Sequence, residues 1–279
     1  MLKVLAVGQV KAHQETLKSR LLGPTLRKSL AREYRRSRVR ALFLDYDGTL
    51  VPFAAKPAEA APDAELLGIL GSLSLDRRNR VVVISGRDRS IMDRWLGQLP
   101  LHLVAEHGAW IRERGGSWQN LEPLNQDWKR EIRPILESYV ERTPGSLIEE
   151  KDFSLVWHYR KAEIGLGDNR ARQLADTLAS SASNLHLRIQ EGAKVIEVKN
   201  SSINKGRAAL QLLEKFRPDF VLAFGDDRTD EDLFTRLPAE AHTIKVGISA
   251  TAARYNVPSF LEVRKILSMW GGVSDETTA

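Results

Sequence analysis

The chain has 279 residues, 42% of them hydrophobic and none of them cysteine; it is long enough for one large or two modest globular domains, and disulfides and thiolate metal sites are excluded. Its formal charge is +6, but residues 11–40 hold ten Lys/Arg against two Glu, so that stretch carries +8 and the rest of the chain −2; so local a basicity argues against a nucleic-acid partner. No apolar run approaches the roughly 20 residues of a membrane span, the first ten residues are too short for a secretory signal, and the lack of cysteine suits a cytoplasmic setting.

Residues 1–38 read as a basic, helical lead-in. The pattern from Leu17 to Arg36 breaks at Gly23-Pro24 and resumes as an amphipathic helix with Leu26, Leu30 and Tyr34 at helical spacing. A solvated helix is the plain expectation, with a phosphate-rich partner or a targeting role as alternatives. Val39 to Leu44 has strand length and ends at Asp45. Ala64–Leu75 reads as a helix, Val81–Ile84 as a buried strand stopped by Ser85-Gly86, Ile91–Leu99 as a helix and Leu101–Ala105 as a strand. This alternation predicts an α/β fold with a parallel sheet and right-handed crossovers. The middle differs. Trp118 to about Val140 reads as polar and helical, Ser154–Tyr159 as a strand and Leu166–Ala182 as a helix. Leu185–Ile189 and Lys194–Val198 read as strands joined by a turn at Glu191-Gly192. Lys205-Gly206 then opens a helix, Phe220–Phe224 is a strand, Glu231–Leu237 a helix and Thr243–Val246 a strand. The expected organisation is a core over 39–115 and 200–268, an inserted cap over 116–199, and a flexible tail over 269–279.

In open parallel sheets reactive groups gather at the carboxyl ends of strands. Four strand ends carry suggestive residues: Asp45-x-Asp47-Gly48-Thr49, Ser85-Gly86-Arg87, Glu106-His107-Gly108 and Gly225-Asp226-Asp227-x-x-Asp230, with Lys205 at a helix start. Each alone has a plain reading as a turn, a helix cap or solvated surface. Together they fit phosphoryl transfer. Asp45 and Asp226, with a backbone carbonyl near Asp47, could hold Mg²⁺ against the charge of a phosphate ester, with Asp227 and Asp230 behind them. Asp45 would attack phosphorus. Asp47 would protonate the leaving oxygen and then deprotonate water. Lys205 and the Ser85 hydroxyl would hold phosphoryl oxygens, and Gly48 would let the backbone turn tightly.

These motifs resemble those of the haloacid dehalogenase-type phosphatases. The wider pattern, from about Arg40 to Leu267, is similar to trehalose-6-phosphate phosphatases; it includes Val82-Val-Ile-Ser-Gly-Arg87, Ala105-Glu-His-Gly-Ala109, Ile148 to Arg160 and Lys194-Val-Ile-Glu197-Val. The resemblance implies a Rossmann-like core, a mobile α/β lid and Mg²⁺-dependent hydrolysis of trehalose 6-phosphate through an aspartyl-phosphate. It implies that Glu149, Lys151, His158, Arg160, Lys194 and Glu197 belong to the lid signature. Lys151, Lys194 and Glu197 are favoured as sugar-hydroxyl ligands, whereas His158 and Arg160 fit either sugar contacts or support of the lid sheet. Arg87 and His107 match core positions that face the lid. The lead-in resembles the linker ahead of the phosphatase half in bifunctional synthase–phosphatase chains, which makes a trehalose-phosphate synthase a candidate partner; a monomer is expected. Two other readings stay open: another sugar phosphate, such as a glucosylglycerate or sucrose phosphate, and a non-catalytic regulatory protein on the same fold.

Overall fold

From Ser19 onwards the lead-in does not stand apart as a solvated helix. The structure, a computed structural model, describes residues 19–54, 57–120 and 126–272; the basic residues before Ser19 lie outside them. The segment β1 (Arg20–Leu21) is a strand, paired in parallel with Tyr255 and Asn256 near the other end of the chain. Pro24, in the first turn where its missing N–H costs nothing, starts α1 (Pro24–Arg36). This helix buries Leu30 and Tyr34, and Tyr34 stacks on Trp270 with 4.5 Å between ring centres. The apolar run forms β2 (Arg40–Asp45), every residue of which is buried, as expected of a strand covered on both faces. It is followed by α2 (Ala64–Leu75), capped by the Asp63 side chain, β3 (Asn79–Ile84), α3 (Arg89–Leu96) and β4 (His102–Ala105).

Two antiparallel strands follow, β5 (Trp110–Arg112) and β6 (Trp118–Asn120). The second corrects the expected helix at Trp118. Gly115, at φ 72°, turns the chain back so that Trp118 to Asn120 pair with β5, and helix begins only at Trp128. The short β4–β5 and β5–β6 connections leave no room for a crossover, so the sheet is mixed rather than wholly parallel.

The inserted block comprises α4 (Trp128–Glu141), β7 (Leu147–Glu150), β8 (Ser154–His158), α5 (Leu166–Asn184), β9 (Leu187–Gly192) and β10 (Val195–Asn200). Its antiparallel sheet has the order β7-β8-β10-β9. The hairpin turns at Ala193-Lys194, with Lys194 at φ 67°, rather than at Glu191-Gly192, because Gly192 is still paired with Val195. Alternation sorts the two faces. Leu155, Trp157, Ile196 and Val198 pack on α4 and α5, forming a core separate from those of the large sheet. On the opposite face Glu149, Val156, Glu197 and Gln190 stand in one row across all four strands.

The chain returns through α6 (Lys205–Phe216), β11 (Phe220–Gly225), α7 (Arg228–Arg236), β12 (His242–Val246), β13 (Tyr255–Val257) and α8 (Phe260–Gly271). The expected tail therefore starts inside α8; residues 273–279 lie outside the described ones. The large sheet has the order β1-β13-β12-β11-β2-β3-β4-β5-β6 and is parallel from β1 to β4. One face is packed by α1, α2, α3 and α8, the other by α6 and α7. Among the described residues no helix is long and apolar enough to cross a membrane.

Candidate active site

Strands β11, β2, β3 and β4 are neighbours and run in parallel, so the segments leaving them meet at one edge. There Asp45 is 4% exposed, and its Oδ1 accepts a hydrogen bond from Lys205 Nζ at 2.6 Å. Lys205 is the first residue of α6, behind the Asn204 cap, and also donates to Asp230 Oδ1 at 2.8 Å. The other Asp230 oxygen accepts from the backbone N–H groups of Asp226 (2.9 Å) and Asp227 (3.0 Å). Asp227 caps α7 through Thr229 N at 2.8 Å. The helix-cap reading and the chemical reading of this segment therefore both hold. Asp227 and Asp230 build the cap, while Asp226 faces Asp45 and accepts from the Thr49 hydroxyl at 3.1 Å.

One oxygen from each of Asp45, Asp226 and Asp230 lies within 4.8 Å of the others, a grouping that could hold a metal ion. Asp230 already uses both oxygens, whereas Asp45 Oδ2 is buried without a partner. Gly48, at φ 82°, passes so close to Asp226 that a Cβ there would overlap its carboxylate. Three carboxylates share one ammonium. Burial, only partly offset by Lys205, pushes Asp45 up to about 8; burial, with Asp230 and Asp227 close by, pushes Asp226 up to about 6. Burial would lower the Lys205 ammonium, but Asp230 and Asp45 outweigh it and hold it well above its usual range. The site is short of positive charge and rich in hard oxygen donors, which suits a divalent cation.

Asp47 turns away from this trio. Its carboxylate takes the Arg87 fork, with Nε at 2.8 Å from Oδ2 and a terminal nitrogen at 2.5 Å from Oδ1. Arg87, expected to face the lid, thus closes on Asp47 and lies 4.6 Å over the Trp95 ring. The Ser85 hydroxyl oxygen accepts from Arg87 N at 3.1 Å. The His107 ring sits where a Cβ on Gly86 would be, with Nε2 3.8 Å from Glu197 Oε2.

Between the two sheets lies a cleft of about 250 Å³, to which His107 and Asp227 come from the core and Glu149, Lys151, His158 and Glu197 from the cap. His158 Nε2 is 2.7 Å from Glu149 Oε2. Two expected residues are not brought there. Lys194 pairs with Asp168 on α5 at 2.5 Å, and Arg160 donates to Ala193 O at 2.9 Å, so both brace the β9–β10 turn. Two others were not anticipated. Gln190 lines the cleft as the register partner of Glu197. Lys199, 3% exposed, lies 3.5 Å from Glu197. Burial would raise Glu197, but Lys199 and His107 outweigh it and bring it down to about 2. The signal for Lys199 was its spacing of two from Glu197 on one strand, which puts both on the same face.

A family model described as trehalose-phosphatase matches residues 43–262. The chain belongs to the trehalose-phosphatase family. It is 39% identical over 238 residues to the bifunctional trehalose-6-phosphate synthase/phosphatase of Thermoproteus tenax, covering 85% of this chain and 33% of that protein. It is 38% identical over 251 residues to the trehalose-phosphatase of Zygosaccharomyces rouxii, covering 81% of this chain and 28% of that one. Among solved structures, the C-terminal domain of C. albicans trehalose-6-phosphate phosphatase superposes with a TM-score of 0.83 at 30% identity, over 92% of this chain and all of that one. This trehalose-phosphatase family member spans about a third of the length of the curated relatives it matches.

Proposed function

We propose that the chain is a Mg²⁺-dependent phosphatase that hydrolyses trehalose 6-phosphate to trehalose and inorganic phosphate through an aspartyl-phosphate on Asp45. Asp45 itself carries this reading: a buried carboxylate at a strand exit, one oxygen fixed by Lys205, the other free, beside a second carboxylate. Asp45, Asp226 and a backbone carbonyl near Asp47 would hold the cation, which when bound offsets the phosphate charge and favours the ionised carboxylates. The Asp45 carboxylate attacks phosphorus as the bond to the sugar oxygen breaks, and Asp47 delivers a proton to that oxygen. Water then attacks the phosphoryl group, Asp47 takes its proton, and phosphate leaves a regenerated Asp45. Lys205 has one of its three donors left for a phosphoryl oxygen, and the Ser85 hydroxyl can donate to another.

The Arg87 fork engages both Asp47 oxygens, so Asp47 reaches the leaving oxygen only once that fork lets go, and an arriving phosphate competes for the guanidinium. The cap supplies what the core lacks, groups that distinguish sugar hydroxyls. Glu149, Lys151 and Glu197 with His107 would bind them, and closure would exclude water. By likeness to the fused relatives, a trehalose-phosphate synthase would be the partner. The purified protein is expected to release phosphate from trehalose 6-phosphate far faster than from glucose 6-phosphate when Mg²⁺ is present. Equal rates would remove the specificity. Asp45→Asn is expected to lower turnover by at least about a thousandfold, and normal turnover in that variant would remove the nucleophile.

A further inference from the structure

One buried acid has no role in this scheme. Glu106 follows β4 at φ 49° and His107 comes next at φ 57°. Two successive non-glycine residues hold the left-handed region only where their surroundings over-determine it. Here Glu106 N donates to Arg87 O at 3.0 Å and His107 N to Ser85 O at 2.9 Å, which ties the pair to the loop carrying Ser85 and Arg87. The Glu106 side chain is driven inward. The residue is 5% exposed, and both carboxylate oxygens are buried without a hydrogen-bond partner. A buried carboxylate in that state calls for a cation or a donor.

The charged groups that act on Glu106 are Asp88 and Arg89 at the start of α3 and Lys151 and Asp152 in the β7–β8 loop of the cap; Lys129 of α4 also feels its charge. Two of the three cations are engaged. Arg89 pairs with Asp152 at 3.3 Å and lies 3.9 Å over Trp110. Lys129 donates to the carbonyls of Lys151 and Asp152 and to Glu150. The Lys151 ammonium has no hydrogen-bond or ion-pair partner among the described residues, although it also acts on Glu149 and Glu197. An unsatisfied carboxylate on the core and an unpartnered ammonium on the cap thus lie on either side of the seam where Phe153 packs on Ala109 and Ile203, close enough for the Lys151 charge to act on Glu106.

We propose that Glu106 is a positioning residue for Lys151, taking its ammonium as the cap closes over the sugar phosphate and holding it against the sugar hydroxyls. The inference rests on the substrate reading above. Burial, reinforced by Asp152, pushes the Glu106 carboxyl up to about 7, so the ionised form that pairs with Lys151 is lost as the pH falls below that range.

The test is the ratio of kcat/KM for trehalose 6-phosphate to kcat/KM for p-nitrophenyl phosphate, at saturating Mg²⁺, between about pH 5.5 and about pH 8.5. The ratio cancels the titration of groups that both substrates use. In the wild type it should fall on the acid side. Glu106→Gln should lower it roughly tenfold at the alkaline end, mainly through KM, and flatten its pH dependence. Glu106→Asp should keep the acid limb. Lys151→Met should lower the ratio at least as much as Glu106→Gln, and adding Glu106→Gln to Lys151→Met should bring no further loss. An unchanged ratio and pH profile in Glu106→Gln would overturn the proposal, as would an equal loss on both substrates, which marks mere structural support. A wild type with no preference for the disaccharide phosphate would overturn the substrate reading and the proposal with it; a preserved preference with an indifferent Glu106→Gln overturns the proposal alone.

Discussion

At Asp45 the decisive quantity is charge. Asp45, Asp226 and Asp230 crowd around one ammonium, so in the metal-free protein burial holds Asp45 at about 8 and Asp226 at about 6. Metal ligands must be ionised, so Mg²⁺ binding is expected to expel protons near neutral pH and to tighten as the pH rises from about 6 to about 8. Titration calorimetry in two buffers of different ionisation enthalpy reads this directly, and equal heats in both would contradict it. Gly48→Ala should weaken Mg²⁺ binding and slow turnover by at least about tenfold, since the added methyl meets the Asp226 carboxylate and φ 82° suits glycine. An unchanged Mg²⁺ titration would show that this space is not needed. Asp45 and Asp226 were legible in the sequence because each lies in a short motif at the end of an apolar run. The Asp47–Arg87 pair was not, because it depends on how β2 and β3 stand beside each other, which no local spacing records.

The cap is an element with its own core. Leu155 is fully buried in it, among α4 and α5 side chains. Leu155→Ala should cost about 2–5 kcal/mol and open β8 and β10 to hydrogen exchange while β2 and β11 keep their protection. Uniform deprotection of both sheets would mean that core and cap unfold as one. Strands β2, β3, β4, β8, β9, β10, β11 and β12 were legible in the sequence, because alternation and apolar runs are local. No such signal marks β1, β5, β6, β7 and β13, which are two to four residues long and owe their form to a partner strand: β1 and β13 pair from the two ends of the chain, β6 returns to β5 across a glycine turn, and β7 lies along β8. Lys194 was misplaced for a related reason. Its strand neighbours face the cleft or the cap core, but the hairpin turn falls on Lys194 itself and swings it to Asp168.

Across the whole molecule, core and cap are joined by ion pairs as well as by the chain, Arg89 with Asp152 and Arg188 with Asp232, while the His107 ring, which burial pushes well below its usual range, lies beside Glu197. The core has an acid weakness of its own. Burial pushes the His102 imidazole down to about 4, and its Nδ1 accepts from Arg114 N. The unfolded chain therefore binds this proton first, so His102 withholds no stability above about 6.5 and withdraws up to roughly 3 kcal/mol as the pH falls through 6.5 towards 4. Urea unfolding should show His102→Asn losing less stability than the wild type between about pH 7 and about pH 4.5; parallel losses would contradict the buried neutral imidazole. The carboxylate cluster of the core and the cleft-facing row of the cap are tested together by a single panel. Phosphate release would be measured with and without Mg²⁺ from trehalose 6-phosphate, glucose 6-phosphate, sucrose 6-phosphate and a glucosylglycerate phosphate. Rapid release from trehalose 6-phosphate alone, abolished by removing Mg²⁺, is the expected result; equal release from all four, or release indifferent to Mg²⁺, would contradict the proposed function.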